Sequence, residues 1–305
     1  MKRILNCTAS DFKSMKGKEL LKSIKASEGR VMLSEIIGTV QPHYPEITNA
    51  ELAAGFGADL LLLNVFDVFN PVVSGIEVEN NNQIISEIKH LTGRPVGINL
   101  EPVDPDADLV ESVRELPQGR TASEKSLHQA KKLGIDFVCL TGNPKTGVTN
   151  TQIEKAIHKA KEILGEDVFI IAGKMHGAGV SNEGGAEIAD EQSIAGFVDA
   201  GADIILFPSP GTVPGVTLET AQKWIQIAHK KGALTMLTIG TSQEGADKET
   251  IRQIALMNKS AGSDIHHIGD AGYYGIAIPE NIMSYSIAIR GRRHTYIRMC
   301  RSINR

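Results

Sequence analysis

Cysteine, tryptophan and long apolar runs are what this chain has least of, and each shortage removes a class of protein. Its three cysteines, Cys7, Cys139 and Cys300, stand far apart and form no CxxC pair. That argues against a disulfide scaffold or a structural zinc site, and for a reducing compartment. No apolar stretch reaches the roughly 18 residues that a membrane span needs. The opening Met1-Lys2-Arg3-Ile4-Leu5 turns polar at once, without the apolar core of a signal peptide. A formal net charge of −4 and a pI near 6.2 offer no basic excess for nucleic acid or an anionic membrane. Compact ligand spellings such as HxH and HExxH are missing. The expectation is a cytoplasmic, homo-oligomeric protein that handles a small molecule without a resident cofactor, a divalent metal remaining the alternative.

What is present is a repeat. Gly57-Ala58-Asp59 leads into Leu60 to Leu63, and Gly134-Ile135-Asp136 leads into Phe137 to Leu140. Gly201-Ala202-Asp203 leads into Ile204 to Phe207, and Gly262-Ser263-Asp264 into Ile265 to Ile268. Each copy reads as a helix stop, a turn and a short strand covered on both faces. The copies begin 77, 67 and 61 residues apart. That is the length of two βα units, so a second series of strands belongs between them. Arg94 to Asn99, Val168 to Gly173 and Leu234 to Thr238 supply it, with Arg30 to Glu35 in front. Eight strands predict an α/β (β/α)8 TIM barrel over 30–305. Residues 1–29 form an N-terminal extension, whose apolar stripe at Leu20, Leu21 and Ile24 suits a helix on the barrel floor.

Connections into the strands are tight, whereas those leaving them are long and hold most of the Gly, Pro, Ser and Thr. In this fold the outgoing loops build the active site, so the pattern points to an enzyme. The loops Gly240-Thr241-Ser242 and Gly269-Asp270-Ala271-Gly272, after the seventh and eighth strands, suit phosphate binding through backbone N–H groups. The Asp270 carboxylate counts against an anion there. Around the strand ends, Asn64, Asn99, Thr141, Asn143, Ser209 and His267 are candidate substrate contacts. Alternation along the strands turns His267 to the barrel axis and His266 to the helices.

Lys174 is the most suggestive residue. It suits a Schiff-base amine, an anion ligand or a snorkelling surface lysine. Lys174 and His176 share one face of the fifth strand, which makes His176 a candidate general acid or base, with Glu35 and Glu101 as further proton carriers. Glu35, Glu101, His176, His267 and Asp270 are the alternative metal set. The loop after the third strand, about 20 residues with Asp104, Asp106 and Asp108, is long enough for a lid, and its aspartates read as solvated. Arg290, Arg292, Arg293, Arg298, Arg301 and Arg305 fall at the barrel floor, where they read as oligomer contacts or a solvated face.

Asn6-Cys7-Thr8-Ala9-Ser10-Asp11-Phe12, Ser23 to Arg30, and Leu140-Thr141-Gly142-Asn143-Pro144 resemble a family of uncharacterised bacterial TIM-barrel proteins. Its members often carry the label haloacid-dehalogenase-like hydrolase. That label conflicts with the residues. The nucleophile motif Asp-x-Asp-x-Thr/Val should end the first strand, and the nearest spelling, Asp104-Pro105-Asp106-Ala107-Asp108, lies elsewhere without the final Thr or Val. More broadly the chain is similar to ribulose-phosphate-binding barrels, although it lacks the Asp-x-Lys-x-x-Asp motif of their decarboxylase branch. That similarity implies a phosphorylated substrate and names no reaction. The expected function is an isomerase, epimerase or aldol-type lyase of a small phosphorylated carbohydrate or related metabolite. A metal-assisted hydrolase or lyase and a non-catalytic sugar-phosphate-binding barrel are the alternatives.

Overall fold

The computed structural model describes residues 1–109 and 115–305. Eight parallel strands pair in chain order and close on themselves, β8 against β1 through Val31↔Ile265. The strands are β1 (Val31–Ile37), β2 (Leu60–Asn64), β3 (Val96–Leu100), β4 (Phe137–Leu140), β5 (Phe169–Gly173), β6 (Ile204–Pro208), β7 (Leu234–Ile239) and β8 (Ile265–Ile268). Two helices precede the barrel, α1 (Ala9–Ser14) and α2 (Gly17–Lys25). Around it run α3 (Asn49–Gly55), α4 (Ile84–Thr92), α5 (Glu124–Leu133), α6 (Asn150–Leu164), α7 (Glu191–Ala200), α8 (Leu218–Lys230), α9 (Lys248–Ala261) and α10 (Pro279–Cys300), the last broken by a kink at Gly291 (φ 73°). The architecture is a (β/α)8 TIM barrel.

Local sequence explains where the helices start. Thr48 and Thr149 cap α3 and α6 by accepting the N–H groups of Glu51 and Gln152, and Pro279 opens α10 where no N–H is needed. The repeat aspartates explain how the strands begin. Asp59, Asp136, Asp203 and Asp264 each accept a backbone N–H from the preceding strand: Met32 (2.8 Å), Val96 (2.9 Å), Ile170 (2.9 Å) and Thr235 (2.9 Å). Each aspartate's own N–H returns to the carbonyl of that same partner. The turn residue is therefore also a two-point clasp that fixes strand register.

Burial follows strand alternation. One set of side chains faces the helices; the other fills the barrel, where Phe137 and Phe169 stack with centroids 5.0 Å apart. Gly97 makes room for them, since a Cβ there would lie 2.2 Å from the Phe137 ring. Ile4, Phe12, Leu20 and Ile24 of the N-terminal segment join this interior cluster from below, with Val31, Leu33 and Leu60.

Two expectations need correction here. Arg290 and Arg298 are neither solvated nor available to a partner. Both are buried against Asp59, and Arg298 also donates to the carbonyl of Cys7 at 3.1 Å. Arg301 donates to the carbonyls of Asn6 and Cys7; Arg292, Arg293 and Arg305 remain exposed. The last helix thereby reaches back to the N-terminal segment, because a buried guanidinium must find a carboxylate or carbonyls. Asp104, read as solvated, accepts the Thr149 hydroxyl at 2.8 Å. The central part of that loop, 110–114, where a lid was expected, lies outside the described residues.

Candidate active site

The carboxyl ends of β1, β2, β3 and β8 bring one polar network together, because Glu35, Asn64, Asn99 and His267 all take the inward parity of their strands. Glu35 Oε2 and His267 Nε2 are 3.1 Å apart, and both side chains are buried. Burial pushes the Glu35 carboxyl up to about 8, with Glu244 and then Glu101 adding repulsion. Burial likewise pushes His267 down to about 4. The pair is therefore neutral rather than ionic near pH 7, with one proton between the facing oxygen and nitrogen in either tautomer. His266 takes the other face, as alternation requires, and its Nε2 meets the Gly29 carbonyl at 2.9 Å.

Carboxamides extend the network. Asn64 Nδ2 donates to Asn143 Oδ1 and to Asp270 Oδ2, both at 2.9 Å, and Asn143 Nδ2 returns to Asn64 Oδ1 at 3.0 Å. Asn99 donates to Asn64 Oδ1 at 3.2 Å. Asn143 also reaches Glu101 through its backbone N–H and its amide, each at 2.9 Å, while Arg120 holds Glu101 from the far side at 2.7 Å. Asp270 is pushed up to about 7, by burial first and then by Glu35. Thr141 Oγ1, Asn99 Oδ1 and His267 Nδ1 are buried at the same level with no hydrogen-bond partner. Val65, directly after Asn64, holds φ of 55°. A β-branched residue in the left-handed region costs about 1–3 kcal/mol, and such strain gathers at functional sites.

Lys174 and His176 stand apart from this group. β5 ends at Gly173, whose φ of 145° turns the chain, and Met175 rather than Lys174 enters the interior. The shared strand face expected for Lys174 and His176 does not exist, because the strand stops before them. Lys174 Nζ instead pairs with Glu183, whose Oε2 also accepts the Asn150 N–H at the start of α6 at 2.9 Å. Burial lowers the Lys174 pKa, and Glu183 opposes that shift. His176 is held down to about 4, by burial and then by Lys174, and its Nδ1 accepts the Ala178 N–H at 3.1 Å. Among the described residues no hydrogen bond or ion pair joins this cluster to Glu35 and His267.

The loops expected to cradle phosphate already carry internal bonds. Thr241 Oγ1 lies 2.6 Å from both the Thr212 carbonyl and Gln243 Oε1. Gly240 packs against Met175, and Ser242 is left-handed at φ 79°. Glu244 Oε1 accepts the Ala271 N–H at 3.1 Å, and a Cβ at Gly269 or Gly272 would strike Glu244 atoms. A carboxylate thus takes one of the donors that sequence reasoning offered to phosphate. Ser209 is a second correction: it lies past the inward Pro208, and its hydroxyl accepts Asn258 at 2.7 Å on the helix side. The alternative metal set does not assemble either. Among the described residues, no three His, Cys, Asp or Glu side chains converge as ligands. Glu101 is occupied by Arg120 and Asn143, and His176 belongs to the other cluster, so no step is routed through an ion. Arg120, Glu183 and Glu244 were missed by sequence reasoning; each lies on a connection, where periodicity gives no signal.

A family model matches residues 5–305. The chain belongs to the family described as a domain of unknown function, DUF7916. No curated protein matches this DUF7916 member in sequence. Solved structures do match its fold. An archaeal fructose 1,6-bisphosphate aldolase is similar with a TM-score of 0.54 at 13% identity, covering 87% of this chain and 95% of that one. The carboxyl transferase domain of Rhizobium etli pyruvate carboxylase, solved with pyruvate, gives 0.52 at 11% identity, covering 98% and 52%. At such identities the likeness is one of fold. It agrees with the barrel and lends no support to the haloacid-dehalogenase-like label. Among the described residues no helix is long and apolar enough to cross a membrane.

Proposed function

We propose that this DUF7916 protein is an enzyme of lyase or isomerase type that moves a proton on a small polar metabolite, a phosphorylated carbohydrate or a related compound. One observation carries the reading. Two carboxyl groups, Glu35 and Asp270, stand near enough at the strand ends for Glu35 to act on Asp270, and burial raises them to about 8 and about 7. Neighbouring carboxyl groups raised toward neutrality suit a divided acid–base role. Near neutrality one of the two can hold a proton while the other is charged, so the pair can supply both the acceptor and the donor, with His267 backing Glu35. Asn64, Asn99, Asn143 and Thr141 orient hydroxyls, and Glu101, clamped by Arg120, fixes Asn143. Lys174 holds the anionic end of the substrate when Glu183 swings aside. Phosphate at the Gly240 and Gly269 loops needs Glu244 to release the Ala271 N–H, so we place that contact second to Lys174.

The test starts with a thermal-shift screen of sugar phosphates and small carboxylates, followed by proton NMR of any ligand found, incubated with the enzyme in D2O. Enzyme-dependent exchange of a substrate C–H, reduced about 10²-fold or more in Glu35→Gln and Asp270→Asn, is the expected result. Exchange at the parent rate in both variants removes the assignment. A ligand that stabilises the protein with neither exchange nor turnover favours the non-catalytic binding barrel.

A further inference from the structure

A cation-lined hollow lies at the opposite end of the barrel from the proton-transfer groups. It is a cavity of about 740 Å3 between α1, the entrances to β3 and β4, and the end of the chain at Ile303 to Arg305. That volume suits a small organic ligand. The walls are fixed: the Ser10 N–H donates to the Arg305 carbonyl at 2.9 Å, and Arg94 is buried.

Its charge is the reverse of the chain's. Lys13, Lys16, Lys89, Arg94 and Arg305 line it, against the side-chain carboxylates of Glu87 and Asp136, in a protein of formal net charge −4. Asp136 is already committed. Its oxygens serve the Val96 N–H, Lys89 at 2.7 Å and Lys16 at 3.4 Å. The Arg94 guanidinium is bound to carbonyls, those of Ala58, Thr92, Gly93 and Arg298. Carbonyls satisfy its donors without cancelling its charge. Among the described residues, the side chains of Lys13 and Arg305 have no ion-pair partner. Like charges crowded beside a half-enclosed wall cost free energy that a bound anion would recover. Phe12, Pro95, Leu133 and Ile303 supply an apolar surface in the same hollow.

We propose that this floor cavity binds a small organic anion with two or more negative charges of the phosphate or carboxylate kind, and that its apolar body packs on Phe12 and Leu133. The site is separate from the mouth by the length of the strands, about 15 Å at 3.3 Å per residue. Its occupant is therefore an effector or second ligand, and not the substrate of Glu35 and Asp270.

Isothermal titration of the full chain with inorganic pyrophosphate and with adenosine diphosphate, at low and at 0.3 M salt, tests this. Both probes should bind, the nucleotide more tightly, and salt should weaken both. Lys13→Glu combined with Arg305→Glu should weaken binding at least tenfold. Both residues are exposed and outside the core, so the unliganded melting temperature of that variant serves as the folding control. Glu35→Gln should bind the probes as the parent does. Failure of both probes to bind, or affinity untouched by the reversed floor charges, overturns the proposal. Loss of probe binding in Glu35→Gln overturns it equally, since the anion would then sit at the mouth.

Discussion

Arg298 Nε lies 2.7 Å from Asp59 Oδ1, so a residue of the last helix is fastened by charge to the entrance of the second strand. Asp59 Oδ2 meanwhile takes Arg290 and the Met32 N–H. The carboxylate is fully buried and held below its ordinary pKa: Arg290 and Arg298 together overcome the burial that would raise it. One side chain thereby joins β1, β2 and α10, which closes the barrel across its seam.

Asp59→Asn should keep the Met32 hydrogen bond and leave two guanidiniums without their counter-charge. Breaking a buried ion pair from one side costs about 3–5 kcal/mol. Urea unfolding at pH 7 should show the midpoint fall by a corresponding amount. An Asp203→Asn variant, whose clasp carries no ion pair among the described residues, should lose less. Equal losses would mean that the clasp, and not the charge, matters.

Stability should depend on pH in both directions. Glu35 and Asp270 are raised to about 8 and about 7 from 4.5 and 3.8. Between those values the folded chain holds protons that the unfolded chain has lost, so the stability these two groups add is complete below about pH 4, falls as pH rises and is gone above about pH 8. His176, His266 and His267 are lowered to about 4 from 6.5. The unfolded chain binds those protons first, so stability also falls as pH drops below 6.5. These groups together set a maximum near pH 6.5, readable as melting temperature against pH. Glu35 opposes the histidines from about pH 4.5 upward, so Glu35→Gln should flatten the alkaline limb, steepen the acid one and move the maximum to higher pH.

Gly97→Ala tests the packing of the barrel interior. The added carbon would lie 2.2 Å from Phe137, itself stacked on Phe169. Overpacking of a full core costs about 1–3 kcal/mol, measurable by calorimetry as a lowered melting temperature. Phe137→Leu in the same chain should recover part of it, which a loss caused by backbone strain would not allow.

Lys174 should become more reactive when its partner is neutralised. Glu183 holds the amine in its charged form against the effect of burial. Glu183→Gln should therefore lower the lysine pKa further and speed its acetylation at pH 8 by several-fold, read by mass spectrometry of the Lys174 peptide. An unchanged rate would show that solvent access, and not the ion pair, protects the amine. Borohydride added with a stabilising carbonyl metabolite gives a second reading: a covalent adduct on Lys174 marks Schiff-base chemistry, and an intact peptide excludes it.

Much of the fold was legible because it rests on local rules. Gly-x-Asp before an apolar run declares a helix end and a strand start in any context, and four copies at two-unit spacing leave room for eight strands. Parity along short strands also turned His267 inward and His266 outward. Strand 5 misled for a local reason too: Gly173 ends it, and a glycine's left-handed turn is not distinguishable in sequence from a glycine within a strand. Arg290 and Arg298 misled because their partner Asp59 stands more than 200 residues earlier.

By itself, then, the chain's own spelling determined the eight-strand barrel, its capped helices and the ring of polar residues at the strand ends, since each depends on neighbours within a few positions. Tertiary structure alone decided which of those residues meet. Glu35 found His267, Asp270 found Asn64, and Lys174 was drawn off to Glu183. Pairing across the barrel depends on where loops return, and no periodicity records that. The raised acids at the mouth follow from the same cause, because a pKa is set by burial and by charges that only folding brings near.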